Sequence, residues 1–163
     1  LNTPNNSTKA EIHPMMKYVF LLLFCFGCAS QHPNNQHKQG VYGTVTEIIG
    51  NRMPSPELTK QDAQGLAVAA TIHFYAPIST NSLRLNEFGL YQPLTTQEPI
   101  ATCVADAAGK FRQSLPVGNY SVIIVLKDGW FAHQSDGNTV QPVEIKTGTW
   151  IEKNIQINYR AVY

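Results

Sequence analysis

Charge is scarce in this chain, and so are cysteine and histidine. Charged residues make up 14% of the 163, the formal net charge is +1, and from Cys28 onward basic and acidic side chains balance. A chain so nearly neutral has no electrostatic means of drawing in nucleic acid, and no such partner is expected. Long hydrophobic runs are missing too: the apolar stretch over 18–26 is far short of the roughly 20 residues that a membrane-spanning helix needs. From Gly40 on, no segment sustains a 3.6-residue apolar period, which makes helix scarce. Hydrolytic signatures are also lacking. With no Gly-x-Ser-x-Gly and no paired histidines at metal-ligand spacing, neither catalysis nor a metal or other cofactor is expected.

What is there begins with Met15-Met16-Lys17, an apolar run from Tyr18 to Phe26, and then Gly27-Cys28. One positive charge, a short apolar run and a small residue before a cysteine are the layout of a secretory signal. Translation is expected to start at Met15 or Met16, leaving residues 1–14 as an upstream extension; a genuine pre-segment is the alternative. Gly27-Cys28 resembles the lipobox of bacterial lipoproteins, whose cysteine is acylated and becomes the new N-terminus. Cys25 and Phe26 stand where that family usually carries leucine and a small residue. An ordinary secretory signal cut after Gly27 or Ser30 is the competing reading. Two or three acyl chains, at about 0.8 kcal/mol per buried methylene, anchor a protein stably.

The polar stretch over 28–39 has too little apolar surface to offset its ordering entropy and reads as a flexible tether. His32 and His37 within it lack a third metal ligand. It also lacks the acidic cluster that resembles a surface-export signal in some Gram-negative lipoproteins, so the expected location is the outer membrane, facing the periplasm. The expected layout is an upstream extension and lipoprotein signal over 1–27, the tether over 28–39 and one folded domain over 40–163. With Cys25 lost and Cys28 acylated, Cys103 stands alone and is expected to be a small core residue.

Within the domain, short apolar runs punctuated by Gly, Pro, Asn and Asp predict strands over 41–49, 66–74, 100–105, 110–114, 120–126, 140–145 and 151–159. The stretch 79–98 reads as an insertion with a short hairpin around 88–91, and 130–133 as a brief pairing. Both alternating sets of the fifth strand are apolar, Tyr120, Val122, Ile124 and Leu126 on one side and Ile123 and Val125 on the other. That strand is therefore expected to be central and covered on both faces. Seven strands at this spacing predict an all-β, seven-stranded antiparallel sandwich.

Asp106-x-x-Gly109-x-Phe111, followed by Leu115-Pro-x-Gly118-x-Tyr120-x-Val122, resembles the signature of carboxypeptidase regulatory-like domains. Gly43, Val45 and Ala70-Thr71-Ile72 fit the same pattern. The resemblance implies a transthyretin-like (prealbumin-like) Greek-key sandwich and brings no activity of its own. Physically, Asp106 can accept backbone N–H bonds across its turn, Gly109 can take a positive φ, and Phe111 and Tyr120 can fill the core beside it. The segment around Gly50 to Pro56 and the ending Ile157 to Tyr163 are similar to lipoproteins of the Bacteroidetes type. Tyr159-Arg160-Ala161-Val162 also partly resembles the Tyr-Arg-Gly-Ser ending of hydroxyisourate hydrolases, without its Gly-Ser.

Recognition is expected at one end of the sandwich. Trp130 and Phe131 are adjacent, so on an extended backbone they point to opposite faces and one is a candidate for exposure. The competing reading has both capping the open end against Met53. His133, Tyr159 and Tyr163 join them as candidate ligand contacts, with Arg52 as an anion contact or a latch to Asp128 or Asp136. Asp128-Gly129 and Asp136-Gly137 are expected to be tight turns. His73 is expected to be a strand residue facing solvent. The functional expectation is a noncatalytic, lipid-anchored envelope protein that binds or scaffolds an envelope protein or glycan. A glycan-binding module, or a hydrolase of hydroxyisourate type, is the alternative.

Overall fold

The structure, a computed structural model, describes residues 38–51, 53 and 64–162, all within one compact unit that spans Gln36–Tyr163. The signal, the tether up to residue 37 with Cys28 in it, Arg52 and Tyr163 lie outside the described residues. The described chain is an all-β sandwich of two sheets.

One long strand organises the first sheet. β1 (Gly40–Asn51) turns Val41 and Val45 inward and Tyr42, Thr44 and Thr46 outward, the period of two that its sequence shows. Its first half pairs antiparallel with β7 (Lys110–Ser114) on one side and parallel with β11 (Trp150–Glu152) on the other. Its second half pairs antiparallel with β2 (Leu66–Ala67) and parallel with β12 (Ile155–Val162).

The second sheet has seven strands and is antiparallel throughout. Its order is β4 (Leu83–Leu85), β5 (Tyr91–Pro93), β9 (Gly129–Phe131), β8 (Gly118–Leu126), β3 (Thr71–Tyr75) and β6 (Ala101–Val104), with β10 (Pro142–Ile145) beside the first half of β8. Ile72, Phe74, Phe111, Tyr120, Val122, Ile124, Ile155 and Ile157 fill the space between the sheets. A second apolar cluster lies on the outer face of the larger sheet, where Ile78, Leu83 of the insertion and Val140 cover Tyr75 and Ile123. β8 is thus buried on both sides, as its doubly apolar sequence predicts.

Three expectations change in detail. The strand expected over 66–74 is two strands in different sheets: Val68 N–H donates to Val45 C=O at 3.2 Å, whereas Ala70 C=O accepts from Ala105 N–H at 2.8 Å, so the chain changes sheets over 68–70. The strand expected over 151–159 is broken at Lys153 and Asn154. Here the Asn154 Oδ1 accepts from the Thr44 N–H at 3.0 Å and from its hydroxyl at 2.9 Å, a side chain taking the place of a ladder carbonyl. Finally, the first and last strands run parallel; side-chain alternation is the same in both kinds of ladder and does not reveal direction.

Two turns of the fold are built alike. Asp106 Oδ1 accepts from Ala108 N–H at 2.9 Å and Lys110 N–H at 2.8 Å, and Gly109 has φ 73°. Asn86 Oδ1 accepts from Phe88 N–H and Leu90 N–H, both at 3.0 Å, and Gly89 also has φ 73°. The first carries the chain from β6 to β7, across the sandwich; Phe111 and Tyr120 are buried beside it, and the Tyr120 hydroxyl donates to Pro116 C=O at 3.0 Å. The second closes the hairpin of the insertion.

Gln141 holds the remaining flank. It is 1% exposed, has φ 43°, and its Oε1 accepts from His133 N–H at 2.6 Å and more weakly from Gln134 N–H at 3.4 Å. Its Nε2 has no hydrogen-bond partner. Removing that acceptor leaves two part-buried backbone donors without it, so Gln141→Ala is expected to lower stability by about 1 kcal/mol. Chemical denaturation checks it, with faster amide exchange expected at His133 and Gln134.

Candidate functional site: a cleft at one end of the sandwich

A cleft of about 490 Å³ opens between the sheets at the end where β8 finishes. Val68, Ala69 and Ala70 contribute small side chains from the segment that changes sheets, and Val125, Leu126 and Ile157 add apolar surface. Glu47 and Arg160 meet on one side of it, and Lys127 and Asp128, the two residues of the β8–β9 turn, stand on its rim. β12 places Arg160 there because its parallel register sets Ile49 opposite Arg160, across from the bulge that follows Glu47.

Glu47 and Arg160 form an ion pair that is also a hydrogen bond. The bond to Glu47 raises the Arg160 pKa above its usual value, so the guanidinium stays charged. Arg160 remains half exposed while Glu47 is mostly covered, its side chain 50% against 16%. The Arg160 guanidinium also lies 5.5 Å from the centre of the Tyr159 ring, which lines the same cleft. An apolar floor with charges of both signs at its mouth suits a small amphipathic ligand, and the volume falls in the range of small-molecule sites.

No known family profile matches the chain, and no curated protein matches it.

The residues singled out from sequence do not form one site. Trp130 and Phe131 do point to opposite faces: Phe131 is buried in the inter-sheet core, and Trp130 lies half-buried on the outer face of the larger sheet, its ring 4.8 Å from that of Tyr75. Capping of one open end by both is thereby excluded. Phe131 touches Tyr159 on one side and His133 on the other, with ring centres 6.3 Å and 6.4 Å apart. Of the named candidates among the described residues, Tyr159 alone lines the cleft; His133 and Met53 are exposed away from its lining. Trp150 is covered by the Arg112 guanidinium, 3.4 Å from its ring centre.

The reactive side chains are tied into the scaffold. Cys103 packs against the core, and burial pushes its thiol up to about 11, so it is protonated at neutral pH. His73 is half-buried rather than open to solvent, with Nδ1 3.0 Å from the Tyr75 hydroxyl, and burial lowers its pKa. Asp136 accepts from the N–H groups of Asn138 at 3.0 Å and Thr139 at 2.6 Å, which lowers its pKa and closes the turn expected there. Asp128 offers its C=O to Asn86 Nδ2 at 2.8 Å, fixing the insertion hairpin beside the rim of the cleft.

Glu47 and Lys127 are the charged lining residues that sequence reasoning missed, and Asp128 was read only as a turn residue or a latch for Arg52. Arg160 stood in the quoted ending, but its carboxylate partner lies 113 positions away. The one available signal was the charged two-residue turn after β8, Lys127-Asp128, which ends an otherwise apolar strand at the mouth of the site.

Proposed function

We propose that this domain is a noncatalytic binding module, carried by a lipid-anchored envelope protein, that receives the carboxylate end of a short apolar peptide in the terminal cleft. The observation that carries the reading is the pairing of an apolar floor with a half-exposed Arg160 and with Lys127 at the rim. An arginine held by one carboxylate keeps donors free for a second, and a bidentate carboxylate contact is the strongest polar interaction available to it. A role without chemistry is supported by where the usual nucleophile and base stand: the Cys103 thiol is protonated and His73 is bonded to Tyr75. The anchor rests on Gly27-Cys28 and the apolar run before them.

Two-dimensional amide NMR of the chain, titrated with the tripeptide Ala-Leu-Phe and with its C-terminal amide, tests the binding claim. The free carboxylate is expected to shift the amides of Ala69, Ala70, Lys127 and Arg160, and the amidated peptide to bind at least tenfold more weakly. Arg160→Ala should erase that difference. Equal binding of the two peptides, or shifts produced by maltohexaose and centred on Trp130 or Trp150, would replace this reading with a glycan-binding one.

A further inference from the structure

The charged residues that line the terminal cleft are Glu47 and Asp128 against Lys127 and Arg160, and their charges cancel. They are not equally engaged. Glu47 is answered by Arg160 and is mostly covered. Lys127 and Asp128 are exposed at the β8–β9 turn, and neither side chain has an ion-pair or hydrogen-bond partner among the described residues. The turn itself is held, because Asp128 C=O accepts from Asn86 Nδ2 at 2.8 Å, so the Asp128 carboxylate is carried at the rim on a fixed backbone.

A ligand carboxylate answers only part of this set. It takes the free donors of the Arg160 guanidinium, and Lys127 flanks it with a second positive charge. Asp128 is then left without a counterpart, at a mouth where it repels an incoming anion. A peptide with a blocked amino end brings a net negative charge to a rim whose own charges cancel, and it gains no long-range attraction there. A peptide with both ends free has no net charge, and its ammonium supplies what Asp128 lacks.

The dimensions match such a ligand. Arg160 comes from β12 of the smaller sheet and Asp128 from the turn after β8 of the larger one, so a molecule that meets both lies across the opening between the sheets. A sphere of 490 Å³ is about 10 Å across, and an extended chain advances about 3.5 Å per residue, which leaves room for about three residues. Val125, Leu126 and Ile157 offer that chain apolar surface, and the small Ala69 and Ala70 leave space for its side chains.

We infer, resting on the peptide reading above, that the ligand is a free di- or tripeptide of apolar residues held at both ends, its carboxylate by Arg160 and its ammonium by Asp128. The C-terminal tail of a folded protein has no ammonium within reach and is discriminated against. The bound peptide ties the two sheets together at the end where the chain crosses between them over 68–70.

Calorimetric titration of the chain with Ala-Leu-Phe, its N-acetyl form, its C-terminal amide and Gly-Gly-Ala-Leu-Phe tests this. The N-acetyl peptide is expected to bind about fivefold more weakly than the free one, the effect of one exposed ion pair. The pentapeptide carries its ammonium about 7 Å farther out and should match the N-acetyl peptide. Asp128→Asn, a change that a two-residue turn before glycine accepts, should make the free and N-acetyl peptides equal while keeping the preference over the amide. Arg160→Ala should do the reverse. Equal binding of the free and N-acetyl peptides, with the amide still weaker, would overturn the two-ended ligand and leave the carboxylate site standing. A preference for the free amino end that survives Asp128→Asn would overturn the role of Asp128. Amide binding as tight as that of the free peptide would remove the carboxylate site and the two-ended ligand together.

Discussion

Gly109→Val is expected to destabilise the domain by about 4 kcal/mol, seen as a fall of well over 10 °C in the thermal midpoint. Two separate costs combine. At φ 73° a β-branched side chain is strained, and a Cβ on Gly109 would stand 2.3 Å from the Val45 carbonyl oxygen. That oxygen belongs to the central strand of the smaller sheet, and Val45 N–H is itself bound to Gly109 C=O at 2.7 Å, so neither partner can retreat without opening β1. The twin turn separates the two costs. Gly89 has the same φ with nothing within 4 Å of a Cβ, so Gly89→Ala should lose about 1 kcal/mol from strain alone. Gly109→Ala should lose roughly 2 kcal/mol more. Equal losses at the two sites, read from parallel urea titrations, would show that the contact with β1 has no energetic weight.

Gly43→Val is expected to cost about 3 kcal/mol or more by a different route. No unusual φ is involved; the missing Cβ makes room for another backbone, with Lys153 C=O only 2.1 Å from where a Cβ would sit. The break between β11 and β12 rests on this approach. Lys153 N–H donates to Tyr42 C=O at 2.8 Å, one residue before the glycine, and Asn154 binds Thr44, one residue after it. A side chain at Gly43 pushes that corner outward and lengthens all three bonds, so amide exchange should quicken at Thr44 and Lys153 before it changes at Ile123 or Ile124. Uniform quickening across both sheets would instead mean that the seam does not open by itself.

Much of the sandwich was legible because its code is local. The period of two in 41–49 and 110–114, the doubly apolar 120–126, and the Asp106 to Gly109 turn each depend on neighbours within a few residues, and each appears where expected. The breaks at 68–70 and at Lys153 were hidden because both are settled by contacts with β1, far away in sequence: a change of sheet in one case and the space over Gly43 in the other. The site was less legible still. Trp130 and Phe131 announced opposite faces, but which face was core depended on the partners of β9. The cleft arises from a parallel register that sets Arg160 beside β1, and a register between the first and last strands leaves no mark on either strand alone.

The position of β1 also decides how the domain carries load. Its N-terminal end is where the chain emerges from residues 28–39, and partners on both flanks grip it along its length. A pull along the strand axis, from that end toward the cleft, meets hydrogen bonds lying across the direction of force. They must shear together, as a clamp does, whereas a pull at the hairpin of β4 and β5 would peel its bonds one by one. A load applied between that end and the far end of the strand would therefore strain the fold along its strongest mechanical direction.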